Sequence, residues 1–258
     1  MKSMIFAAGL GTRLKPITDV LPKALVPVGG RPLIEHVCRK LKASGIDEAV
    51  VNVHHFADKV ETWVSEQDIM SLEISDERNQ LLETGGAVLR ARKYLEGCGH
   101  FLIHNVDILS NADLVWLENQ MQQDSLATLL VSVRPTSRFL LFHPETLRLV
   151  GWHNTDTGDY SLADKSLTVE ECRAYGFSGI HIMSDKVFDL MDEYVLERAL
   201  TVDPENGVRF PIMSFYLWAA MKMPIYGVVA DELEFLDVGK LDTLERAEKF
   251  IASLQVCF

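Results

Sequence analysis

Met4-Ile5-Phe6-Ala7-Ala8-Gly9-Leu10-Gly11-Thr12-Arg13-Leu14, followed by Pro22-Lys23-Ala24-Leu25-Val26-Pro27-Val28, is the stretch that decides the fold. Residues 2–6 read as a short buried strand, and they empty into a loop of small residues that ends in a cation. Small residues let backbone N–H groups approach a ligand closely, and clustered N–H groups cradle phosphate. Arg13 adds a planar, permanently charged fork suited to phosphate oxygens, and Lys23 adds a second cation. Together they predict a nucleoside triphosphate site. A Walker A loop is excluded because Gly11 is followed by Thr12-Arg13 and not by Lys-Ser/Thr. The dinucleotide fingerprint is excluded because Leu14 stands where its third glycine belongs, and no acidic residue closes a second strand at the required distance. A plain glycine turn accounts for the glycines but not for Arg13 and Lys23 together.

Outward from this stretch, apolar runs suited to strands alternate with helical periodicity. Helices are expected at 32–44, with Leu33, Val37 and Leu41 on one face and Gly45 as the stop, at 57–65 and at 86–94. Strands are expected at 49–53, 72–75, 101–104 and 127–133. Asn111 reads as the N-cap of a helix carrying Leu114, Leu117 and Met121. This alternation implies an α/β fold, a Rossmann-like and mostly parallel sheet flanked by helices. From Arg134 the rhythm changes. Residues 139–142 and 147–152 read as a hairpin and 154–158 as a turn cluster, so 134–176 is expected to form a small β-rich insertion in a single domain of residues 1–258. The chain then returns through a strand at 177–183, a helix at 208–221, strands at 225–229 and 235–236, and a helix at 241–254.

A chain of 258 residues can bury a sizeable core. Its net charge of −12 argues against a nucleic-acid backbone as partner, but a few local cations and a metal can still reverse the field inside one cleft. Cys38, Cys98, Cys172 and Cys257 are scattered with no C-x-x-C pair, and no signal peptide is read before them, so a cytoplasmic setting is expected. The apolar stretch 210–230 is divided by Pro211, Lys222 and Pro224 and reads as a buried helix and strand, with no membrane association.

The opening stretch, with Pro16 and Thr18, resembles the signature of the sugar-1-phosphate nucleotidylyltransferases. Leu82-Glu83-Thr84-Gly85-Gly86-Ala87, Asn105-Val106-Asp107, Phe177-Ser178-Gly179-Ile180 and Leu236-Asp237-Val238-Gly239 fit the same family, so the resemblance spans nearly the whole chain. The chain is similar to the short bacterial branch that holds N-acetylmuramate-1-phosphate uridylyltransferases and mannose-1-phosphate guanylyltransferase-like proteins. The resemblance implies attack of a sugar-1-phosphate oxygen on the α-phosphate of a nucleoside triphosphate, giving pyrophosphate and a nucleoside-diphosphate sugar for the cell envelope. Uridylyl transfer to an N-acetylated hexose 1-phosphate is the expected form. Guanylyl transfer to mannose-1-phosphate, cytidylyl transfer to another phosphorylated acceptor, and a non-catalytic nucleotide-sensing subunit are the other readings. The sequence leaves oligomeric state open.

The resemblance further implies that Asp107 and Asp237 bind magnesium, and that Arg13, Lys23 and Asp107 are catalytic. It places Ala8, Gly9, Gly11, Thr12, Arg13, Lys23, Glu83, Thr84 and Gly85 against the nucleotide, with the glycine pair 85–86 letting the base lie close to the backbone. Asn105, Ser178 and Gly179 fall to the sugar. Read from the residues alone, Asp107 and Asp237 could each be a turn or cap aspartate, and Thr84 could cap a helix. Phe177-Ser178-Gly179 could be a packed core strand, and His54 and His55 read as hydrogen-bonded structural groups. Trp152 covers the sugar or plugs the hairpin. Relatives commonly carry glycine where this chain has Val106, so the acceptor side is expected to differ. No hexapeptide-repeat tail follows, and no second activity is expected.

Overall fold

The central strand-forming runs are apolar on both faces because helices cover both sides of the sheet there. In the computed structural model, which describes residues 1–255, the parallel block is built from β1 (Lys2–Phe6), β2 (Glu48–Val53), β3 (Ser71–Asp76) and β4 (His100–Asn105). Helices α1 (Leu33–Ala43), α2 (Ala57–Glu66) and α3 (Glu83–Arg90) lie between them in the chain. The block order is β3-β2-β1-β4, and β1 is sandwiched with Met4 opposite Val50 and Ile5 opposite His104. Successive side chains point to opposite faces. Ile5, Val51 and Leu102 therefore join the core under α1, while Met4, Val50 and Ile103 join the core under α3.

Beyond β4 the chain forms β5 (Ile108–Ser110), α4 (Leu114–Asn119) and β6 (Ala127–Ser132). Three strands follow, β7 (Arg138–Phe142), β8 (Leu149–Asn154) and β9 (Tyr160–Leu162), and then the long β10 (Arg173–Ser184). The chain closes with α5 (Val187–Glu197), α6 (Ile212–Ala219), β11 (Ile225–Val229), β12 (Phe235–Asp237) and α7 (Leu244–Gln255). The sheet is mixed around its parallel core. β10 inserts antiparallel between β4 and β6, and β11 pairs parallel with β6. The first residues of β10 pair with β7, so the insertion continues the sheet in hydrogen-bonded register.

Several local expectations are corrected. Asp113, not Asn111, caps α4: its Oδ1 accepts from the Trp116 N–H at 2.8 Å. Asn111 instead bridges to the segment before β12, accepting from Glu234 N and donating to the Glu232 carbonyl. The helix expected at 208–221 starts at Ile212, because Val208 pairs with Val202 and Phe210 N–H donates to the Leu82 carbonyl. The helix expected at 86–94 starts three residues earlier and breaks after Arg90 into a separate turn at Arg92–Leu95. Leu147 adopts a left-handed φ of 54° in a turn, so β8 begins at Leu149, and the expected hairpin gains β9 as a third strand. Cys257 lies outside the described residues. No helix among the described residues is long and apolar enough to cross a membrane.

Candidate active site

The loop after β1 is fixed by few contacts of high value. Ala7 N–H donates to Asn52 Oδ1 at 2.8 Å, which ties the loop to the end of β2. Gly11 turns the chain with φ 64°, and its carbonyl accepts from Leu14 N–H and from Thr18 Oγ1, both at 2.8 Å. A Cβ at this position would meet Thr18 Cγ2 at 2.8 Å, so both the angle and the space demand glycine. Above the loop lies a cavity of about 590 Å³ at the carboxyl ends of β1, β2 and β4. Ala8, Gly9, Gly11, Thr12, Arg13, Lys23, Glu83, Thr84, Asn105 and Asp107 all line it. Open α/β sheets bind ligands at this end of their strands.

The two aspartates, far apart in sequence, meet through a short ribbon. β5 pairs antiparallel with β12, which places Asp237 opposite Ile108, and Val238 N–H donates to the Asp107 carbonyl at 2.8 Å. Lys23 Nζ pairs with Asp107 Oδ2, with side chains 9% and 19% exposed, so this ion pair is largely shielded from water. Crowding of its inner side raises the Asp237 carboxyl above the usual range, and repulsion from Asp107 adds to that, against the pull of Lys23, Arg13 and Arg134. Its outer side stays open to solvent. Gly239 is the hinge of this arrangement: a Cβ there would sit 2.6 Å from Asp237 Oδ1 and 2.8 Å from Arg13 Nη2.

Among the described residues no group of three or more His, Cys, Asp or Glu side chains could hold a metal ion. Two carboxylates alone are the donor set a magnesium ion uses, since it keeps waters and substrate phosphate oxygens in place of an all-protein cage. Asp107 and Asp237 therefore fit that ion.

Two expected ligand contacts, Gly85 and Ser178, take other work. Gly85 does not present a bare backbone to a base: a Cβ there would lie 2.4 Å from the Phe210 ring, and one on Gly86 would lie 2.1 Å from the Val208 carbonyl oxygen. The N–H groups of both glycines donate to the Phe210 carbonyl. The pair is glycine so that the 208–210 segment can pack on α3. Thr84 does not cap its own helix, since its Oγ1 accepts from Ile212 N–H at 2.9 Å at the start of α6. Ser178 is 1% exposed and its hydroxyl is occupied, donating to the Leu130 carbonyl at 2.7 Å and accepting from Ile180 N–H, so it is a packing residue and not a sugar ligand. Gly179, at φ 79°, lies against the Asn105 side chain, 2.8 Å from where a Cβ would be, and so reaches the cavity only through Asn105. Val106 is buried in the core, its N–H donating to the Phe6 carbonyl, while one edge lines the cavity. His54 Nδ1 bonds the Glu77 carbonyl, and Trp152 packs on the core beneath α6.

The sequence reading missed four residues around the cleft. Asn52 and Glu77 form a buried pair behind the loop, and Glu83 is held by Arg209 across the cavity mouth. Arg134 is near enough to Asp237 for its charge to favour the ionised carboxylate. A signal existed for Asn52, a polar residue inside the apolar run Ala49-Val50-Val51-Asn52-Val53. Burial of such a group requires partners.

A family model described as nucleotidyl transferase matches residues 2–140. The N-acetylmuramate alpha-1-phosphate uridylyltransferase of Caulobacter vibrioides is 36% identical over 194 residues, covering 72% of this chain and 76% of that protein. The protein of the same name from Neisseria meningitidis serogroup B is 34% identical over 195 residues, covering 73% and 78%. The solved inositol-1-phosphate CTP transferase from T. maritima shares the fold, with a TM-score of 0.74 over 98% of this chain and 96% of that one at 14% identity. The chain thus belongs to the nucleotidyl transferase family of enzymes.

Proposed function

We propose that the protein transfers a uridylyl group from UTP to an N-acetylated hexose 1-phosphate, N-acetylmuramate 1-phosphate being the first acceptor to test. The observation that carries this reading is that Arg13, Lys23 and Asp107 line one cleft, with Asp237 brought beside Asp107 by the pairing of β5 and β12. The two bacterial relatives whose names specify this transfer support the choice of base and sugar. An oxygen of the acceptor phosphate bonds to the α-phosphorus of UTP, the bond from that phosphorus to the bridging oxygen breaks, and pyrophosphate departs. The attacking oxygen is already ionised at neutral pH, so no side chain has to remove a proton. The chain's task is to hold two anions in line and to stabilise charge at the reacting phosphorus.

Backbone N–H groups of residues 8–12 hold the triphosphate, and the Arg13 fork receives charge that develops on the departing pyrophosphate. Lys23 supplies a point charge in a site shielded from water, where it acts strongly. Asp107 and Asp237 would hold magnesium, which when bound would supply positive charge to offset that of the phosphates. Glu83 and Thr84 border the base side, each anchored, to Arg209 and to the start of α6. The test is a pyrophosphate-release screen of four nucleoside triphosphates against a panel of sugar-1-phosphates. UTP with N-acetylmuramate 1-phosphate should give the highest kcat/KM, and a clear preference for another nucleotide or for an acceptor without an N-acetyl group would refute the reading.

A further inference from the structure

The sheet order divides the cleft. The loop of residues 8–13 and α3 lie on the β1–β2 side of Asp107, whereas β10 and β6 lie on the other side of β4. Arg13 and Lys23 reach the carboxylate pair from the first side. Arg134, two residues past the end of β6, lies on the second side, near enough to Asp237 to favour its ionised form.

Arg134 is held as a rigid, half-buried fork. Its guanidinium stacks over the Phe235 ring, 4.8 Å from the centroid, and its Nη2 donates to the Phe177 carbonyl at 3.1 Å. Gly176 makes the seat for its stem: a Cβ there would lie 2.6 Å from Arg134 Nε and 2.8 Å from its Cγ. Nε itself is buried and has no hydrogen-bond partner. A guanidinium oriented by stacking, partly withdrawn from water and left with unused N–H groups is poised for a planar or tetrahedral oxyanion. Neutralising Asp237 alone would not require the stack, the carbonyl anchor and the glycine seat together.

We propose that Arg134 binds the phosphate group of the acceptor sugar-1-phosphate and holds it on the side of the carboxylate pair opposite the triphosphate. This rests on the reaction proposed above and adds the residue that places the attacking anion. Arg134 thus positions the nucleophile, while Arg13 serves the leaving group.

The test is steady-state kinetics of wild type, Arg134→Gln, Arg134→Lys and Gly176→Ala with N-acetylmuramate 1-phosphate and with N-acetylglucosamine 1-phosphate, which lacks the lactyl carboxylate. UTP affinity is measured separately by equilibrium binding, and thermal melting checks folding. Loss of one charge-assisted contact should raise the acceptor KM of Arg134→Gln about tenfold or more with both acceptors, leaving UTP affinity within about twofold. Arg134→Lys should fall between, keeping charge without the fork. Gly176→Ala should raise acceptor KM in the same direction, because it displaces the guanidinium without altering Arg134. Unchanged acceptor KM in an active Arg134→Gln enzyme overturns the proposal, as does a rise confined to the carboxylate-bearing acceptor. A wild-type enzyme inactive with every sugar-1-phosphate would instead overturn the proposed reaction, and the acceptor role of Arg134 with it.

Discussion

Asn52 and Glu77 offer the sharpest test of how this fold holds its phosphate loop. Asn52 Oδ1 accepts from Ala7 N–H and its Nδ2 donates to Glu77 Oε1, both at 2.8 Å. Glu77 Oε2 accepts from Leu82 N–H at 3.1 Å. Asn52 and Glu77 are 4% and 3% exposed, so a polar chain runs from the loop, through β2, to the entry of α3 without water. Burial raises the Glu77 carboxyl pKa, and the bonds from Asn52 and Leu82 oppose that shift. Asn52→Ala leaves the buried Ala7 N–H and one Glu77 oxygen without partners, each worth about 1–3 kcal/mol, so the total should be about 3 kcal/mol. For a chain of this size that lowers Tm by about 6–12 °C. UTP KM should rise as well, because Ala7 leads directly into the residues that line the cavity. Asn52→Asp alone sets a carboxylate against Glu77, and Glu77→Gln alone sets an amide donor against Asn52 or Leu82. The double substitution restores donor to acceptor throughout, so the cycle should show a favourable coupling of about 1 kcal/mol or more by urea denaturation. An additive cycle, or an Asn52→Ala melting point within about 2 °C of wild type, would refute the reasoning.

Asp107→Asn should keep the fold, being nearly isosteric, and lose most turnover, with a higher magnesium requirement in initial-rate assays; near-normal rate at limiting magnesium would remove Asp107 from metal binding. Arg13→Ala should lower kcat by about tenfold or more with little change in Tm, whereas Lys23→Ala should lower both kcat and Tm because it leaves Asp107 unpaired in a shielded site, and unchanged kinetics in both would remove them from catalysis. Val106→Gly should lower Tm, at a cost of about 2 kcal/mol from lost packing and added backbone freedom, and should leave the ranking of acceptors as it is. A changed ranking at unchanged Tm would show that the edge of Val106 in the cavity selects the sugar. His104 and His181 are fully buried, which pushes their pKa values down to about 4 and about 3. The unfolded chain, with ordinary histidines, therefore binds more protons as pH falls below about 6.5, and stability declines from there to about pH 4 by about 3 kcal/mol per histidine. His181→Phe, which suits a ring packed against Phe177 and Tyr216, should flatten the acid side of a Tm–pH profile, and an unaltered acid slope would sink this account.

The sequence by itself determined most of the elements and the loop of small residues that lines the cleft. Those features are local: an apolar run sets a strand, a 3.6-residue period sets a helix, and a few adjacent small residues make a phosphate cradle. Hence β1, α1, β2 and the loop with Arg13 lie where the residues place them, within a position or two at the ends. Caps and glycines were read less well, because their reasons are not local. Thr84 and Gly85 look like helix-start residues in sequence, yet one caps α6 and the other makes room for Phe210, more than a hundred positions away. The three-residue strand β5 carries too little pattern to be seen, and its pairing with β12, which the sequence does show, brings Asp237 beside Asp107. Only the tertiary structure could also seat β10 between β4 and β6, bury the Ser178 hydroxyl against Leu130, and stack Arg134 on Phe235. Strand order and long-range pairing depend on which edges meet once chain entropy has been overcome, and no window of neighbouring residues encodes that choice.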